Sequence, residues 1–137
     1  MTNINNGWNI SCFLAPFIPA IFYGRCFVAL RYSMTDRIEK LKAFLQTSPE
    51  DCFLNHALAL EYIKLDDDNQ ALALFRKNLQ QDENYIATYY HLGKLLERVG
   101  ESEEAITIYE KGMEKAKAAR DMHSYNELQS AYEDLAY

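Results

Sequence analysis

The side chains best suited to metal or nucleophilic chemistry in this chain of 137 residues are three histidines (His56, His91 and His123) and three cysteines (Cys12, Cys26 and Cys52). A zinc site needs three or four such ligands converging on one point. No two of the histidines share a turn of one helix, no Cys-x-x-Cys pair occurs, and an odd number of cysteines does not make a disulfide framework. The histidines therefore read as separate surface or groove side chains, and Cys52 as a small buried apolar residue at a helix start. The carboxylates Asp66, Asp67 and Asp68, and Glu101, Glu103 and Glu104, fall where turns and helix starts are expected, and capping accounts for them. There is no glycine-rich phosphate loop, no Gly-x-Ser-x-Gly and no cysteine–histidine signature. No catalytic residue, metal site or cofactor is expected, and an enzyme is the least expected class.

Charge narrows the partners. Residues 1–33 hold Arg25, Arg31 and no carboxylate, so 34–137 carry 12 basic against 20 acidic groups, a formal charge of −8. Neutralising phosphates needs a basic face, so an acidic body argues against nucleic acid and against anionic membrane surfaces. Apolar residues make up 49% of the chain, enough for a folded core rather than a disordered segment. From residue 34 onward the one proline is Pro49, and so long a stretch without breakers favours helices.

The first 33 residues differ in kind. Trp8–Tyr23 is uncharged and strongly apolar, but it is short for the roughly 20 residues a spanning helix needs, and Pro16 and Pro19 interrupt it. It also lacks the basic start of a secretion signal. Composition changes at Met34, which is followed by an ordinary helix start, Thr35-Asp36-Arg37-Ile38. The expectation is that Met34 is the native start and 1–33 is translated upstream sequence. A membrane anchor is the alternative.

A repeat organises the remainder. Ala71 and Ala105 lie 34 residues apart, and in the same register Leu58 meets Leu92, Ala59 meets Gly93, Tyr62 meets Leu96, Leu72 meets Ile106, Phe75 meets Tyr109 and Leu79 meets Met113. Small residues fall on small ones and bulky on bulky. In 86–119, Tyr89, Leu92-Gly93, Ala105 and Tyr109 stand at the spacing of the tetratricopeptide repeat, which this segment resembles. The segment 52–85 keeps Ala59, Tyr62, Ala71 and Phe75, but Asn55 replaces a large residue, Asn78 replaces a small one, and Glu83 stands where proline is common. The same frame makes 35–51 a degenerate half repeat with Ile38, Leu41, Phe44 and Leu45 facing inward. It makes 121–136 a terminal helix with Tyr125, Leu128, Tyr132 and Leu135 on one stripe. Capping is expected from Ser48 with Pro49 in the first helical turn, from Asp66–Asn69, from Asn84 and from Ser102, with Gly100 left-handed at a helix end.

The resemblance implies an all-α fold, a short right-handed superhelix of antiparallel helix pairs with about six helices, forming one domain over 34–137. It also implies a concave groove lined by Phe53, His56, Leu60, Ile63 and Lys64 and then by Ala87, Tyr90, Lys94, Glu97 and Arg98. The eight side chains expected to touch a partner are Phe53, His56, Leu60, Ile63, Tyr90, Lys94, Glu97 and Arg98. Some family members clamp a chaperone's terminal carboxylate with Lys and Asn at the positions held here by His56 and Leu60, so that clamp is absent. The functional expectation is a cytoplasmic adaptor or scaffold binding an unknown protein or peptide. The alternatives are a homodimeric structural protein and, if 1–33 is native, a membrane-anchored assembly factor. Intact-mass analysis of the protein made from its own gene is expected to show Met34 as the first residue, and peptides from 1–33 in the mature protein would overturn that.

Overall fold

The computed structural model describes residues 36–136, and the readings of 1–33 lie outside them. Six helices run through the described residues: α1 (36–47), α2 (Cys52–Lys64), α3 (Asp68–Gln81), α4 (Ala87–Val99), α5 (Ser102–Ala119) and α6 (Met122–Ala136). Each packs on its chain neighbour from α2 onward, and α4 also meets α6, so the stack is built from consecutive antiparallel pairs. Among the described residues no helix is long and apolar enough to cross a membrane.

Three helices end in the same way, and that sets the turns between them. After α4, Gly100 takes φ 86°, its N–H bonds to the Glu97 carbonyl, and the Glu101 N–H reaches Leu96 O at 2.9 Å. After α2, Asp66 takes φ 58° and Asp67 N reaches Tyr62 O at 3.0 Å; after α5, Arg120 takes φ 60° and Asp121 N reaches Ala116 O at 2.9 Å. This left-handed stop satisfies carbonyls the helix would otherwise leave open. Asp66 stands one period before Gly100, so the repeat preserves the backbone geometry where it has changed the residue.

The start of α3 is capped from within Asp66–Asn69 as expected, but other helix starts use different residues. Asp51, not Ser48, caps α2, accepting from Leu54 N, and Pro49 lies in the preceding turn rather than in the helix. Asp67 caps α3 through Gln70 N, and Asp121 caps the last helix through Ser124 N. Asn84 caps nothing: its N–H donates to Asp82, and α4 starts with no side-chain cap. Ser102 is the first residue of α5, with Glu101 at the cap position. At α2 and α5 an aspartate or glutamate occupies the cap position, where a carboxylate also meets the positive end of the helix dipole.

The core follows the period. Ala59, Ala71, Phe75, Leu92, Leu96, Ala105 and Tyr109 are fully buried, and Leu58 and Tyr89 nearly so. Small residues are placed where rings must lie. A Cβ at Gly93 would fall inside the contact distance of the Tyr109 ring, and one at Gly112 would stand 2.7 Å from Tyr89 Cβ. The two asparagines that depart from the pattern are buried and used. Asn55 donates to the carbonyls of Pro49 at 3.2 Å and Asp51 at 2.9 Å, holding the α1–α2 turn, and Asn78 donates to Thr88 at 2.9 Å.

The first helix is only partly as expected. Ile38 is buried and Leu41 and Leu45 are half-buried, but Phe44 is 61% exposed. At roughly 100° per residue it stands about 60° beyond Leu41 around the helix, outside the stripe of Ile38, Leu41 and Leu45. An ion pair fastens α1 to α2. Buried Glu61 receives Arg37 at 3.1 Å and Lys64 at 2.9 Å, and an unpaired carboxylate there would cost several kcal/mol, roughly 3–5.

Replacing Gly93 with Ala gains about 1 kcal/mol of helix propensity but forces Tyr109 out of place, an overpacking cost of about 3 kcal/mol. Urea denaturation is expected to show a net loss of about 2 kcal/mol, and Ala105→Leu a loss of similar or larger size. Unchanged midpoints would refute the close approach of α4 and α5.

Candidate functional site

The helices α2, α4 and α6 run parallel on one side of the stack, and the eight expected partner-binding residues lie on the first two. Phe53 is 66% exposed at the start of α2. About two and three turns further, Leu60 and Ile63 are half-buried against the core. On α4, Tyr90 and Lys94 are half-buried and open toward α6. There they meet Glu127, Ser130, Ala131 and Asp134 across a cleft of about 270 Å³.

Four of the eight, His56, Lys94, Glu97 and Arg98, are held by internal bonds. His56 is 7% exposed, its Nδ1 lying 3.1 Å from Thr88 Oγ1. Asn78 donates to the same oxygen, so the Thr88 hydroxyl joins the α2 histidine to the α3 asparagine. Glu97 accepts from the Tyr109 hydroxyl and pairs with Lys94 at 3.1 Å. Burial, then that bond to Glu97, holds the Tyr109 phenol neutral far above its ordinary range. Arg98 binds Asp68 and lies 3.9 Å from Asp66, tying the end of α4 to the turn between α2 and α3.

The histidines are not the separate side chains expected from their positions. His56 and His91 have ring centroids 5.2 Å apart, and His56 also touches Phe75 at 5.4 Å and Tyr85 at 5.5 Å. Only the stacking of α2 on α4 brings them together. Burial and then the neighbouring His91 push His56 down to about 4, and burial lowers His91 against the opposing pull of Glu127. Cys52 stands one turn before His56 on α2, half-buried rather than enclosed. Its thiol is pushed up first by burial and then by Asp82 and Asp51, so it is a poor nucleophile. Among the described residues no three His, Cys, Asp or Glu side chains gather as metal ligands.

The α6 wall of the cleft was missed because that helix reads as an end cap. A signal was present: Glu127, Ser130 and Asp134 recur at spacings of three and four, beside the inward Leu128 and Ala131. A second cleft of about 560 Å³ opens on the opposite side, between α3 and α5. Its apolar walls are Leu79 and Ile108, and inter-helix ion pairs Arg76–Glu104 and Lys115–Glu83 cross it.

A stack of antiparallel helix pairs with small residues at the crossings and a groove along the first helix of each pair is the architecture of a helical-repeat binding protein. The sequence pattern described as tetratricopeptide repeat matches residues 86–118. A tetratricopeptide repeat domain protein of Salinibacter ruber is 41% identical, with 63% of this chain and 96% of that one covered at a TM-score of 0.61. A protein of Bordetella parapertussis is 28% identical over 72% of this chain and 86% of its own, with a TM-score of 0.64. The TPR2B domain of yeast Sti1, solved in its pHsp70 complex, is 18% identical over 78% and 86%, with a TM-score of 0.71. No curated protein sequence matches. The chain belongs to the tetratricopeptide repeat family.

The buried histidines make stability pH-dependent. His56 binds its proton more weakly folded than unfolded, so its contribution is complete above its ordinary value of 6.5 and is lost as pH falls toward 4. The loss from His56 reaches about 3 kcal/mol, and His91 acts in the same direction. The melting temperature is expected to fall between pH 7 and 4.5, and His56→Gln to flatten that fall. A His56→Gln profile parallel to the wild type would refute the assignment.

Proposed function

We propose that the face shared by α2, α4 and α6 binds a peptide or helix of another protein, making the chain an adaptor or scaffold. The cleft between α4 and α6 carries this reading. It is an indentation beside Tyr90, on the face where Phe53 is exposed and Leu60 and Ile63 are incompletely covered. An aromatic anchor beside half-buried aliphatic residues is the chemistry that concentrates binding energy in protein interfaces. The eight residues divide by role. Phe53, Leu60, Ile63, Tyr90 and Lys94 offer contact surface, while His56, Glu97 and Arg98 hold that surface in place from within. We further assign the repeats to 52–85 and 86–119, with α1 and α6 closing the stack.

Site-specific photo-crosslinkers test the reading in the cell of origin. Placed at Leu60 or Tyr90 in the full chain, they are expected to capture a partner that a crosslinker at Thr107 on α5 does not. Tyr90→Ala should weaken the captured complex by about 2 kcal/mol, roughly thirtyfold, with a fall in melting temperature that leaves the chain folded at the assay temperature. Adducts of twice the chain's own mass would replace this reading with self-association, and equal capture from Thr107 would sink it.

A further inference from the structure

The charges of the α4–α6 cleft are unequally satisfied. Lys94 is occupied by Glu97 on its own helix, at 3.1 Å. Facing it, Glu127 stands near two imidazoles, that of exposed His123 at 3.6 Å, too long for a hydrogen bond, and that of half-buried His91, whose charged form it favours. Asp134 has no ion-pair or hydrogen-bond partner among the described residues. The two carboxylates stand two turns apart on α6, roughly 10 Å along its axis, with Ser130 and Ala131 between them and the Tyr90 ring on the facing wall.

Helix stability does not explain this arrangement. Asp134 lies in the last turn of α6, where the negative end of the helix dipole disfavours a carboxylate. The described body is acidic as well, so two carboxylates with no Lys or Arg paired to them among the described residues add to self-repulsion beside one cleft. The cleft, about 270 Å³, falls below the usual range of a small-molecule pocket and suits a single long side chain.

Resting on the reading of this face as a peptide groove, we propose that its partner is a basic peptide, with a Lys or Arg side chain lying over Ala131 between Glu127 and Asp134. The stem of that side chain packs on Tyr90, and its cation takes the two carboxylates and the ring face. The apolar half of the groove, at Phe53, Leu60 and Ile63, takes a hydrophobic residue of the same peptide. The charge fixes which end of the peptide lies toward α6.

Panning a random dodecapeptide library displayed on phage against the full chain tests both levels. Peptides are expected to be enriched that pair a Lys or Arg with an apolar residue, and to be lost against Leu60→Lys and Tyr90→Ala chains. Fluorescence anisotropy of one such peptide should then show about tenfold weaker binding when its basic residue is replaced by norleucine, from two charge pairs near 5 Å. That ratio should fall below about twofold in the Glu127→Gln/Asp134→Asn chain. These side chains are at the surface, so the double variant is expected to melt at or slightly above the wild-type temperature. Equal binding of the lysine and norleucine peptides, or enrichment of acidic peptides, overturns the basic-peptide inference while leaving the groove in place. Binding that ignores Leu60→Lys and Tyr90→Ala, or no enrichment at all, overturns the groove reading and this inference with it.

Discussion

The Tyr109 ring lies against the bare backbone of Gly93, and much of the molecule hangs on that contact. It sets the distance between α4 and α5, because any side chain at residue 93 would occupy the ring's place. It also sets a direction. The fully buried ring carries its hydroxyl to Glu97, one turn further along α4, and Glu97 in turn holds Lys94. A packing constraint in the core thus decides where a charge stands on the surface. The groove is precise for the same reason: its side chains are spaced by rigid helices whose separation is fixed by a glycine and a ring.

One period earlier the same role falls to Ala59 and Phe75, and there the stack is joined by polar groups as well. Asn78 on α3, Thr88 on α4 and His56 on α2 form one chain of hydrogen bonds, all three side chains buried. Such a network is directional, so it favours one alignment of the helices over sliding alternatives that an apolar seam would tolerate. It has a cost. The Oδ1 atoms of Asn55 and Asn78 find no partner among the described residues, and each such group forfeits about 1–3 kcal/mol. The substitutions that depart from the family's pattern are therefore structural devices, one holding the α1–α2 turn and the other joining the first helix pair to the second.

Charge is arranged differently on the two sides of the stack. On the α3–α5 side, Arg76 pairs with Glu104 across the helices and Lys115 pairs with Glu83 in the turn after α3. Exposed pairs of this kind contribute little each, about 0–1 kcal/mol, and leave a surface without strong preference for a charged ligand. On the α6 wall of the opposite face, Glu127 and Asp134 are left largely uncompensated. The larger cleft is lined by both signs of charge, Lys111 and Glu114 among them, whereas the only charges α6 brings to the smaller one are carboxylates.

The fold was legible in the sequence to the extent that it depends on period. A 34-residue spacing of Ala71 with Ala105 and Phe75 with Tyr109 records which residues a stacked helix pair must bury, and a sequence with so few breakers has little choice but helix. Gly100 announced its own left-handed turn because glycine tolerates that conformation without penalty. Asp66, which adopts the same conformation, gave no such signal. The site was legible only in part, because periodicity says which face a residue occupies and not what it meets there. Phe53 and Tyr90 are on the expected face, but the burial of His56 and its pairing with His91 come from α2 lying on α4. Phe44 is left exposed because nothing among the described residues packs over the edge of the α1 stripe where it stands. The cleft exists because α6 lies beside α4 as well as packing on α5. Residues distant in the chain acquire neighbours only when helices stack, and those neighbours decide which side chains are held inside and which remain free to meet a partner.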